Sequence, residues 1–189
     1  MKYIDPDKLQ PGDIVGITDL SWFACVERTT INGLGNVFNQ MLSTHIAVVC
    51  DRGSGLLYFC EMMYPTIQMN NLQEYDHLKP MEHITFVGRH PALAADGGKR
   101  MACNDFLIES HAHLVKYDLL ELLKFWDMPV PDDPKKIICS DLPRNMLRAV
   151  GLPYPMAWDV KCSPYDWQVW NTLIHVSIAP CVPVVGGVS

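Results

Sequence analysis

Two apolar, β-branched runs, Thr44-His-Ile-Ala-Val-Val-Cys50 and Leu56-Leu-Tyr-Phe-Cys-Glu-Met-Met63, flank the turn-forming cluster Asp51-Arg-Gly-Ser-Gly55. Such a pair reads as a β-hairpin and commits the chain to an antiparallel sheet. Alternation places His45, Ala47 and Val49 on one face of the first strand, and Leu57, Phe59 and Glu61 on one face of the second. With the hairpin centred on Gly53, Val49 faces Leu57, Ala47 faces Phe59 and His45 faces Glu61. Directly opposed Cβ atoms lie about 4.5–5.5 Å apart. A carboxylate at that range can bond one ring nitrogen of His45 and leave the other for a second group. The pairing depends on register, because a slip of one residue sends Glu61 to the other face.

The rest of the chain reads as short strands and helices. Leu9-Gln-Pro-Gly-Asp-Ile-Val-Gly-Ile17 reads as a turn and a strand, and Thr66–Met69 and His83–Gly88 as two more strands. Leu34, Val37, Phe38 and Met41 recur at helical spacing. A longer helical pattern covers 99–125, opens after Asp96-Gly-Gly, and ends before the proline-rich Met128-Pro-Val-Pro-Asp-Asp-Pro134. Ile137-Ile138 forms a short strand leading into Cys139. Leu142–Val150 is a helix that Gly151 can cap, and 169–179 supplies a last strand. A length of 189 residues suits one domain, spanning 1–189, with its own core.

Composition narrows the functional classes. The formal charge is −6 and no Lys/Arg run occurs, which argues against a nucleic-acid partner. No apolar stretch reaches the length of a membrane span, so integral membrane association is not expected. The opening Met-Lys-Tyr-Ile-Asp-Pro-Asp-Lys lacks the apolar core of a signal peptide, an expectation of a cytoplasmic protein, with a phage-encoded origin open. Seven cysteines without a Cys-x-x-Cys argue against a disulfide framework or a zinc site. His111 and His113 point to different faces of a helix, and His77, His83 and His90 lack ligand spacing, so no metal is expected. Gly97-Gly98 is not followed by a phosphate-loop pattern, and no other cofactor motif appears. The tryptophans at 22, 126, 158, 167 and 170, with Phe23, are mainly core candidates.

Cys139 stands at a strand-to-helix junction in Lys136-Ile-Ile-Cys-Ser-Asp-Leu-Pro-Arg-Asn-Met-Leu-Arg148. A thiol beside an imidazole at a helix start is a ready nucleophile. Taken singly, Cys139, His45 and Glu61 are more often an inert thiol, a satisfied strand histidine and the wet end of a strand. Their joint arrangement favours catalysis, with Cys139 as nucleophile, His45 as base and Glu61 as the group that orients the base. The ring of Pro143 disfavours helical dihedrals at Leu142, which delays the expected helix start.

These pieces, in order, resemble the circularly permuted papain-like amidases of the NlpC superfamily. The resemblance rests on Leu9-Gln-Pro-Gly-Asp-Ile-Val15, Ser43-Thr-His-Ile-Ala-Val-Val49, Glu61, Lys116-Tyr-Asp-Leu-Leu120, Ile138-Cys-Ser-Asp-Leu142 and Ser163-Pro-Tyr-Asp-Trp167. The chain departs from the family's usual pattern at Asp141-Leu-Pro143. The resemblance implies an α+β, permuted papain-like (NlpC-type) fold, with a small antiparallel barrel-like sheet carrying the histidine and a helix carrying the cysteine. It implies a cysteine amidase or peptidase working through a thioester, with Cys139, His45 and Glu61 as the catalytic group. The substrate would be peptide-like or acylated: a peptidoglycan peptide, an isopeptide or an acyl ester. The alternatives are a thiol acyltransferase or lipase, and a non-catalytic binding module on the same fold.

Overall fold

The computed structural model describes residues 2–3, 6–19, 43–53, 55–72, 82–118, 120, 136–159, 162–176 and 179–180. Ten strands occur among them: β1 (Lys2–Tyr3), β2 (Ile14–Asp19), β3 (His45–Asp51), β4 (Leu57–Met62), β5 (Ile67–Asn71), β6 (Glu82–Arg89), β7 (Lys116–Tyr117), β8 (Lys136–Ile137), β9 (Ile174–His175) and β10 (Ala179–Pro180). The α-helices are α1 (Pro91–Ala95), α2 (Gly97–Ala112), α3 (Asp141–Ala149) and α4 (Pro164–Val169). Six strands form an antiparallel sheet in the order β5-β4-β3-β2-β6-β9, and helices pack against it, an α+β architecture. Among the described residues this sheet is open, with β5 and β9 at its edges. The expected barrel-like closure is therefore not found.

The β3–β4 hairpin forms where its composition indicates, but its register differs from the expectation. Ala47 pairs with Glu61, Val49 with Phe59, and Asp51 with Leu57. Asp51 stays in the strand, and its carboxylate accepts from Gly53 N (2.8 Å) and Gly55 N (3.2 Å). Both glycines have positive φ, 86° and 72°. With Asp51 paired to Leu57, the loop moves to 52–56 and its centre shifts one residue beyond Gly53. The offset is two residues, so every side chain keeps its face.

The sheet separates two apolar clusters. Ile14, Ile46, Val48, Cys50, Cys60 and Met62 pack with Leu107 of α2 and with Leu142, Met146 and Leu147 of α3. Leu9, Val15, Ile17, Ala47, Val49, Phe59 and Val87 form the second cluster. The even positions of β3, not the Ala47–Val49 side, thus pack on the helices. Gly16 lies under the Phe86 ring, and a Cβ there would collide with that ring and with Ser43 Oγ. At the end of β6, Arg89 Nε and Nη2 clamp the fully buried Asp13 at 2.6 and 2.7 Å, fastening the Gln10–Asp13 turn.

Two helix boundaries correct the sequence reading. α2 starts where Asp96 caps it, its carboxylate accepting from Gly98 N and Lys99 N, but it ends at Ala112 rather than near 125. Leu114 then turns left-handed (φ 49°), and the chain enters β7, which pairs in parallel with β8. α3 starts at Asp141, with Pro143 in its first turn. A first-turn N–H has no intrahelical partner, so the proline costs the helix no hydrogen bond and does not delay its start. The expected helix near 34–41 and the linker at 128–134 lie outside the described residues, as do Trp22, Phe23 and Trp126.

Candidate active site

His45 is the first residue of β3. It pairs with Ile17 of β2 and stands beyond the last β3–β4 pair, at the end of the sheet. Glu61 is therefore its diagonal rather than its direct neighbour, and it still reaches the ring. His45 Nε2 lies 2.9 Å from Glu61 Oε2, with the His45 side chain 14% exposed and that of Glu61 at 0%. The other carboxylate oxygen, Oε1, accepts a 2.5 Å hydrogen bond from Nδ2 of Asn70 on β5.

Cys139 sits in the turn between β8 and α3, with Ser140 as the N-cap position of that helix. Its thiol lies close enough to the His45 ring to raise the ring's proton affinity. The structure thus brings Cys139, His45 and Glu61 together, with the carboxylate on one side of the imidazole. With Nε2 committed to Glu61, Nδ1 is the ring nitrogen left to the sulfur. Burial alone would push the His45 ring down. The Cys139 sulfur and the Glu61 carboxylate push it up, and they prevail, holding it well above its ordinary range.

The turn that aims Cys139 is braced from several sides. Asp141 Oδ2 accepts from Ile138 N at 3.2 Å, and Asp141 N donates to Ile138 O at 3.1 Å. Asp141 is 2% exposed, and Arg144 Nη2 lies 2.9 Å from its Oδ1. The guanidinium offsets the charge of this buried carboxylate. Arg144 also donates to Trp158 O. Ser140 Oγ donates to Cys162 O (2.6 Å), and Trp167 Nε1 donates to Ser140 O (3.0 Å). The next residue of α4, Gln168, accepts at Oε1 from both N and Oγ of Ser43, two residues before His45. α4 thereby touches the strand entry that carries the histidine and the turn that carries the cysteine.

Sequence reasoning missed Asn70, Arg144 and Gln168. Asn70 lay one residue beyond the expected end of its strand, at Met69. Arg144 was legible only as an i,i+3 partner of Asp141. Nothing local marks Gln168, whose partner Ser43 is distant in sequence. The remaining histidines with visible bonds are structural: His90 caps α1 by accepting from Ala92 N, and His113 Nδ1 donates to Glu109 O. Trp158, Trp167 and Trp170 stack edge-to-face or tilted, with centroids 4.4–5.6 Å apart, and Trp158 and Trp167 belong to the core as expected. Among the described residues no group of three or more His, Cys, Asp or Glu side chains could hold a metal ion. Among them, too, no helix is long and apolar enough to cross a membrane.

No family model matches the chain, and no curated protein matches it. Among solved structures, the chain is similar to the crystal structure of the metalloprotein yiiX from Escherichia coli O157:H7, a DUF1105 protein. The two share 12% identity and a TM-score of 0.62, over 92% of this chain and 99% of that one. At that identity the likeness is one of fold.

Proposed function

We propose that this protein is a thiol-dependent amidase or peptidase of permuted papain-like type, in which Cys139 is the nucleophile, His45 the base and Glu61 the group that orients it. The observation that carries the reading is the bond of His45 to Glu61 with the Cys139 thiol close to the same ring, in a setting that favours the imidazolium. A cation held against a thiol at a helix start favours the thiolate, the nucleophilic form. The chain order also fits a permuted arrangement, since the strand bearing His45 precedes the helix that follows Cys139.

In this reading the Cys139 sulfur attacks an amide carbonyl. A C–S bond forms, and the carbonyl electron pair moves to oxygen, where the Cys139 backbone N–H is one stabilising donor. Collapse breaks the C–N bond, and the proton on His45 passes to the departing amine. Water then attacks the thioester as His45 takes its proton, and the C–S bond breaks to release the acid and restore the thiolate. Glu61 holds the ring through both halves without becoming protonated.

The test is turnover of a panel of peptide p-nitroanilides and acyl p-nitrophenyl esters, with mass spectrometry of the acylated protein. The expected result is p-nitroaniline release, an acyl group on the peptide containing Cys139, and loss of both in Cys139→Ala and His45→Ala. Undiminished turnover in Cys139→Ala would sink the reading. Ester turnover with acyl passage to an added amine, and no amide cleavage, would move the assignment to acyl transfer.

A further inference from the structure

We infer that Asn70 is a positioning residue of this site, fixing the Glu61 carboxylate that orients His45; the inference rests on the thiol-hydrolase reading above. Glu61 is fully buried and has two oxygens to satisfy. One meets His45 Nε2 and the other meets Asn70 Nδ2. An ionised carboxylate can only accept, so the asparagine must present its amide N–H₂ to Oε1. A carboxylate bonded through one oxygen can still rotate about its terminal bond. Bonded through both, its plane is set, and with it the direction from which Oε2 meets the imidazole.

The placement follows from register. Phe59 pairs with Asn70 and Glu61 with Gln68, so Asn70 is the diagonal neighbour of Glu61 on the same face of the sheet. Glu61 is in turn the diagonal neighbour of His45. Three consecutive strands, β3, β4 and β5, each contribute one side chain to a line running from the sulfur to the sheet edge: His45, Glu61, Asn70. Asn70 is only half-buried, so its replacement opens no core cavity, and its side chain bears on the site through Glu61. Cys60, the further titratable group that senses Glu61, projects from the opposite face of β4 toward Cys50.

The experiment measures the rate of Cys139 alkylation by iodoacetamide against pH in the wild type, Asn70→Leu, Asn70→Ala and Asn70→Gln, with thermal unfolding of each. Asn70→Leu and Asn70→Ala remove the donor without adding a second carboxyl beside Glu61; Asn70→Leu keeps the bulk and Asn70→Gln keeps the amide. The expected result is alkylation slowed about tenfold at mildly acidic pH in both donor-less variants, in line with the loss of other orienting partners. Their rate should rise only toward higher pH, and Asn70→Gln should recover much of the wild-type profile. A role confined to fold stability would lower the unfolding temperature and leave rate and profile unchanged. That outcome in Asn70→Ala overturns the inference even if Asn70→Leu fails to fold. A wild type whose Cys139 reacts no faster than its other thiols overturns the hydrolase reading itself, and the inference with it.

Discussion

His45 stands between two groups that both favour its cation, the Cys139 sulfur and the Glu61 carboxylate, in a setting where burial disfavours any charge. The attractions prevail because both partners lie close to the ring, where Coulomb energies are large. The sign follows: a midpoint raised above the ordinary value of about 6.5 leaves the ring cationic at pH values where free histidines have lost their proton. An NMR titration of the histidine ring protons should show the His45 resonance titrating above that ordinary value. In Cys139→Ala the strongest attractive partner is gone, and the midpoint should fall. A His45 midpoint at or below 6.5 in the wild type would remove the electrostatic basis of the site. Glu61→Gln keeps the shape but loses the anion, so it should slow turnover by less than Cys139→Ala does.

At the scale of elements, the start of α3 carries a largely buried ion pair. Asp141 and Arg144 form a pair 2% and 11% exposed at the side chain, one turn into the helix that follows the nucleophile. Removing one member of such a pair strands the other charge, at a cost of about 3–5 kcal/mol. Arg144→Met should therefore destabilise the protein by that order in urea unfolding, whereas Asp141→Ser combined with Arg144→Met should cost clearly less. Equal losses in the single and double variants would show that the ion pair is not what holds this turn. Pro143 illustrates why the helix start was misread. Its effect on Leu142 is a local preference, and the bonds that Asp141 makes to Ile138 outweigh it. The end of α2 was misread for a related reason. The apolar spacing of Leu114, Leu119, Leu122 and Leu123 continues the helical pattern, but Leu114 adopts a positive φ and the following residues pair with β8 and bridge to Thr66.

Across the whole molecule, the legible part of the site was what two-residue periodicity could carry. Faces survived the register offset, so Glu61 was found from His45 although the pairing that suggested it was off by two positions. The turn centre was not legible, because Asp51 reads as a loop residue until its bonds to Gly53 and Gly55 are seen. Sheet order was not legible either. Nothing local says that β2 lies between β3 and β6, or that Arg89 reaches back to Asp13. The side of β3 that packs on the helices was not legible, because both sides are equally apolar. Ile46, Val48 and Cys50 match Ala47 and Val49 in burial, and only the helices decide between them.

The central claim is that one thiol in this chain is set apart by its partners, and alkylation of the native protein tests it most directly. Burial pushes the Cys103 thiol up to about 12 and Cys162 higher still, and Cys60 is raised by its bond to Cys50 and by burial. These thiols should stay protonated and slow at mildly acidic pH. Brief iodoacetamide treatment at about pH 5.5–6, followed by peptide mapping, should find Cys139 labelled well ahead of Cys50, Cys60, Cys103 and Cys162, and His45→Ala should abolish that lead. Labelling of Cys139 no faster than Cys103 or Cys162 in the native protein would contradict the account.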